Sequence, residues 1–303
     1  MHGKRRDGGY YWKIMSDAVK PAEDAKLVGE SLVVAPQFFS TVYNKGQYDD
    51  DDLAWGDRNA WQSGSLATHP KNTNVSSIDA LDAVIEHYSN LDIYPSMKNI
   101  TVVGHGGGGQ LVQRYAVVAK DTPDHIHVRF IHGDPSSCVY FTKHRSFPEH
   151  GDKKKCKYYN TWRYGFEHFP GTLKELKSPK EYFQQYIKRD VVSLVGYQDV
   201  SSTGDESCMA KLQGGEKRRD RNLIWYRYVN SLARTNTDLD GFPGDFKALP
   251  DWSGNQNDTF GLRLIVVEDA AHNMEDVLAS DSGKSALFSN GHVDVGWRPT
   301  GSS

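Results

Sequence analysis

The chain has 303 residues, 38% of them hydrophobic and 25% charged, enough for one large α/β domain of ordinary globular composition. Its formal net charge of −3 gives no electrostatic basis for a nucleic-acid or anionic-membrane partner. No run approaches the length of a membrane span, and the charged opening Met1 to Gly9 lacks the apolar core of a signal peptide, which leaves a cytoplasmic location as the default.

In chain order, Tyr11 to Val19 reads as a helix and Leu32-Val-Val-Ala-Pro36 as a strand. The acidic run Asp49 to Asp52 reads as a solvated face, since a calcium loop needs spaced ligands and a shaping glycine. Ser76 to Tyr88 is a helix, with Ser76 or Ser77 as N-cap and Ile78, Leu81, Val84 and Ile85 on one side. Ile100 to Gly104 is a strand that turns into a helix over Gly109 to Lys120. Val128 to Ile131, Val191 to Val195 and Leu262 to Val267 are further strands, and a helix over Met274 to Leu287 follows the last. Lys153-Lys154-Lys155 with Lys157 reads as a solvated loop.

These apolar runs are near-continuous rather than alternating, as in strands covered by helices on both faces. Their alternation with helices predicts a doubly wound, mostly parallel sheet in a single domain over 1–303. Two long excursions, 140–189 and 204–261, leave the carboxyl ends of strands, where open α/β sheets bind ligands, and are read as lids or pocket walls. Cys138, Cys156 and Cys208 match no zinc spacing, and no cofactor or metal set is expected. Sequons at Asn74, Asn99 and Asn257 are too short to decide a compartment.

The chemistry concentrates at Gly104-His-Gly-Gly-Gly-Gly-Gln110. A strand turning sharply into a helix with this spacing is the outline of Gly-x-Ser-x-Gly, the turn that exposes a nucleophilic serine above a sheet. Here Gly106 stands at the serine position. A hydrolase of this kind needs an acid and then a histidine, each just past a later strand. Asp199, after Val191 to Val195, and His272, after Leu262 to Val267, occupy those places. Asp134, in a turn-forming Asp-Pro pair, is a rival acid, and Asp205 a weaker one.

Gly104-His-Gly-Gly-Gly-Gly-Gln-Leu-Val-Gln-Arg-Tyr-Ala116 resembles the elbow Gly-His-Ser-Ala/Gly-Gly-Gly-Gln-x-Val-Gln-Arg-Tyr-Ala of a group of serine esterase/lipase-like α/β-hydrolases. Val33-Val-Ala-Pro-Gln-Phe38, Trp55, Trp61 with Gly64, Pro135-Ser-Ser, Trp162-Arg-Tyr-Gly165, Arg189-Asp-Val-Val and Asp205-Glu-Ser-Cys-Met-Ala210 are similar to further signatures of that group. The resemblance implies an α/β-hydrolase fold with Asp199 as triad acid and His272 as triad base. His2-Gly3-Lys4-Arg5-Arg6 resembles the group's His-Gly-x-x-Arg oxyanion loop, which implies an oxyanion hole formed by Lys4 and Gly107. That loop follows strand 3 in the group, so strands 1 to 3 are expected to be missing; the sheet is then rearranged, or the sequence is a truncated version of a longer chain.

His105, Phe38, Trp55, Trp162, Tyr164 and Phe166 are candidate pocket residues, with core packing the competing reading. Cys156 and Cys208, both on the excursions, are expected within disulfide reach, which requires Cα atoms less than about 7 Å apart. The expected ligand is a small ester or acyl-type molecule, and the oligomeric state is not legible. The expected function is that of a carboxylic-ester-hydrolase-like protein whose covalent chemistry is lost with the serine. Two alternatives stand beside it: a lyase, isomerase or direct-water hydrolase that uses His272 and Asp199, and a non-catalytic ligand-binding pseudo-hydrolase.

Overall fold

The computed structural model describes residues 1–3, 7–56, 60–146, 156–246, 248–254, 260–289 and 292–300. Helix α1 (Gly8–Asp24) starts where the Asp7 side chain accepts the Tyr10 N–H, an N-cap that supplies one of the orphan donors of the first turn. A two-residue parallel ladder joins β1 (Phe39–Ser40) to β2 (Ala54–Trp55). Helix α2 (Ser77–Tyr88) opens with a reciprocal capping box between Ser76 and Asp79.

Four strands then form one parallel sheet: β3 (Asn99–His105), β4 (His127–Gly133), β5 (Asp190–Gly196) and β6 (Leu262–Val267), neighbours in that order. Parallel strands need long crossovers. Here these carry α3 (Gly107–Val118), α4 (Pro179–Lys188), α5 (Cys208–Lys211) and α6 (Arg218–Ala233). After β6 come α7 (Met274–Ala279) and α8 (Asp281–Phe288). The single helix expected over 274–287 is divided because Ser280 takes an extended conformation and its side chain caps α8 at the Gly283 N–H.

Successive strand residues point to opposite faces, and the two cores divide accordingly. Val102, Phe130, Val191 and Leu264 pack with α2, α3, α4 and α6, whereas Ile131, Val192 and Ile265 pack with α7 and α8. The excursions 140–189 and 204–261 therefore contain core helices as well as irregular chain: Tyr182, Phe183 and Tyr186 of α4 and Trp225 and Tyr228 of α6 are fully buried.

Leu32 to Pro36 forms no ladder, contrary to its β-branched composition. It runs beside β3 across an apolar groove of about 470 Å³ that Val33, Pro36, Thr101 and Val103 help to line. A strand is stabilised by its neighbour rather than by its own propensity, and among the described residues no strand pairs with this segment. On that edge of β3 the Met1 nitrogen donates to the Val103 carbonyl at 2.6 Å. Among the described residues no helix is long and apolar enough to cross a membrane.

Candidate active site

The carboxyl ends of β3 to β6 lie side by side, with His105 opposite Gly133, Gly133 opposite Leu194 and Gly196 opposite Val267. Side chains from four separate strand ends can therefore meet there. Gly106 follows β3 at φ 57°, ψ −113°, a backbone region that strains any residue with a Cβ. Its N–H donates to the Gly133 carbonyl at 2.8 Å and its carbonyl accepts the Gln110 N–H at 2.9 Å. At Gly104 a Cβ would lie 2.4 Å from the Gly108 carbonyl oxygen, so the turn packs α3 against β3 backbone to backbone.

A Cβ at Gly106 would point at His272, 3.0 Å from Nε2 and 3.3 Å from Cε1. The other ring nitrogen, Nδ1, lies 2.9 Å from Asp199 Oδ2. The Asp199 side chain is fully buried, and Arg218 forks onto it, with Nε 2.8 Å from Oδ2 and a terminal nitrogen 2.6 Å from Oδ1. Burial works to raise the Asp199 carboxyl, but hydrogen bonds from His272 and Arg218 outweigh it and hold the group below the ordinary value of 3.8. The His272 side chain remains 34% exposed.

Of the two rival acids, Asp134 lies at φ 43° beside a different histidine. Its Oδ2 is 3.0 Å from His105 Nε2, and its Oδ1 accepts the Gly196 N–H at 3.0 Å. Asp205 accepts hydrogen bonds from the hydroxyls of Tyr164, Ser137 and Ser207. The rings of His105 and His272 are 4.5 Å apart, and His105, Asp134 and His272 bring ligand atoms within 4.8 Å of one another. Neither the Asp134–His105 contact nor the Arg218 fork has a spacing signal in the sequence, because the first joins the ends of two strands and the second joins the end of β5 to the start of α6.

Gly107, as the first residue of α3, carries an N–H that has no acceptor within the helix. Lys4 lies outside the described residues. His2 is buried, accepts the Phe38 N–H at Nε2 and packs against Trp61, which fixes the chain leading to that loop. Phe38 and Trp55 are buried core residues: Phe38 stacks on Trp61 and meets Trp55 edge-on. Tyr164 is buried in the Asp205 network. Trp162 and Phe166 pack on the same core, with Trp162 donating to the Ser63 carbonyl. Cys156 and Cys208 are joined by a disulfide with Cα atoms 5.8 Å apart.

No protein-family profile and no curated protein matches the chain. Among solved structures it is similar to the poly(3-hydroxybutyrate) depolymerase LpqC of Bordetella parapertussis, at 19% identity and a TM-score of 0.56 over 97% of this chain and 79% of that one. It is also similar to poly(aspartic acid) hydrolase-1 of Sphingomonas sp. KT-1, at 16% identity and a TM-score of 0.55 over 94% of this chain and 85% of that one. The fold is an α/β-hydrolase fold.

Proposed function

We propose that this chain carries a serine-hydrolase-type site for an ester or acyl-type ligand in which Gly106 has replaced the nucleophile, so that binding persists and covalent hydrolysis is lost. One observation carries the reading: the missing side chain at 106 would project directly at Nε2 of a histidine whose Nδ1 is held by a buried carboxylate. In a working unit a serine hydroxyl there would attack the acyl carbon and pass its proton to His272, while Asp199 fixed the imidazole tautomer. The Gly107 N–H would stabilise the developing oxyanion, a contribution of about 3–4 kcal/mol per donor. Removing the nucleophile from such a unit lowers turnover by on the order of a million-fold. The similar structures bear the names of a poly(3-hydroxybutyrate) depolymerase and a poly(aspartic acid) hydrolase, so polymeric substrates are worth testing beside small acyl compounds.

Gly106→Ser tests the reading. The folded variant should gain fluorophosphonate labelling and hydrolysis of short esters, both abolished by a second change at His272; a folded variant that stays unlabelled rejects it. Because a Cβ at 106 would sit tightly against His272, the ring must give by a few tenths of an ångström, which its partial exposure allows.

A second reading is favoured by the same Nε2, which has no hydrogen-bond partner among the described residues. His272 with Asp199 can move a proton to or from water or substrate without any serine, as in a lyase, an isomerase or a direct-water hydrolase. Turnover by the unaltered chain that disappears in His272→Ala would identify it. A pure ligand-binding protein would keep its affinity in that variant.

A further inference from the structure

We propose that His105, Asp134 and His272 form a binding site for one first-row divalent metal ion, of which Zn²⁺ suits the donor set best, in the space left without a side chain at Gly106. Two imidazoles and one carboxylate make a borderline donor set that favours such ions over Mg²⁺ or Ca²⁺. His105 Nε2 and Asp134 Oδ2 are 3.0 Å apart. Two ligands with bonds of about 2.1 Å to one ion have that separation at an angle of about 90°. The ion would take the place of the proton that the pair now shares.

The third ligand comes from the loop after β6, with its ring 4.5 Å from that of His105. The ligand atoms lie within 4.8 Å of one another, and two bonds of about 2.1 Å span at most about 4.2 Å. Closure therefore asks His272 to move inward by roughly half an ångström or more, and it is the exposed member of the three. The His272 Nδ1 contact with Asp199 is also the arrangement that orients a metal-bound histidine, leaving Nε2 for the ion. The Gly196 N–H likewise fixes the free oxygen of Asp134.

Gly106 is what opens the position. Any side chain there would fill the approach to Nε2, and a serine hydroxyl would compete for the same lone pair. The three ligands come from the ends of β3, β4 and β6, so the site leaves no metal-ligand spacing in the sequence. The proposal does not depend on any hydrolytic activity.

Equilibrium dialysis of the chelator-stripped chain against Zn²⁺, followed by Co²⁺ loading and absorption spectroscopy, tests it. The expected result is one Zn²⁺ per chain and a Co²⁺ d–d band characteristic of imidazole and carboxylate ligands. His272→Ala, checked for native circular dichroism, should weaken Zn²⁺ by more than about 100-fold and abolish the band, and Asp199→Asn should weaken it about 10- to 100-fold. Absence of stoichiometric uptake, or uptake undiminished in His272→Ala, overturns the proposal. Esterase gain in Gly106→Ser is read separately, so failure of either idea leaves the other standing.

Discussion

The Asp199 side chain is buried, ion-paired with Arg218 and hydrogen-bonded to His272 Nδ1. Removing one partner of a buried pair leaves an uncompensated charge, which typically destabilises by about 3–5 kcal/mol. Arg218→Gln should therefore lower the unfolding free energy from urea denaturation by that order, and a change below about 1 kcal/mol would mean that Arg218 does not hold the carboxylate. Since the folded carboxyl lies below its ordinary 3.8, its stabilisation is complete above that value and is lost as pH falls through the folded one. The pairing ties Arg218 to the candidate site, since it holds the carboxylate that hydrogen-bonds His272.

At the scale of elements, the turn from β3 into α3 rests on close backbone approach. In Gly104→Ala the new methyl would lie 2.4 Å from the Gly108 carbonyl oxygen and 2.9 Å from Val112 Cγ2. Relief would require α3 to part from β3, so a loss of more than about 4 kcal/mol in chemical denaturation is expected; a near-native midpoint would show that the turn has slack. The strands of the sheet were legible because burial on both faces writes an unbroken apolar run. Helix α6 was not, because Arg218, Arg221, Asn222 and Asn230 are buried along with its apolar residues and erase the amphipathic period. Leu32 to Pro36 misled in the opposite sense, its propensity being real and its partner strand lacking among the described residues. The turn motif and chain order single out Gly106, Asp199 and His272, and the fold brings the three together. Trp55 and Phe38 could not be placed, since aromatic side chains look the same in a core and in a pocket wall.

The Cys156–Cys208 bridge joins the β4–β5 crossover to the β5–β6 crossover across a sequence separation of 52. Closing a loop of that length stabilises a chain by about 4 kcal/mol in the chain-entropy account, a sizeable part of the 5–15 kcal/mol typical of a domain. Asp205 and Ser207, whose side chains bond to Tyr164, precede Cys208 directly. Thiol–disulfide poise thus bears on the connection from Asp199 to Arg218: where glutathione and thioredoxin keep cysteines reduced, its covalent tether would open, and that connection would rest on hydrogen bonds and packing.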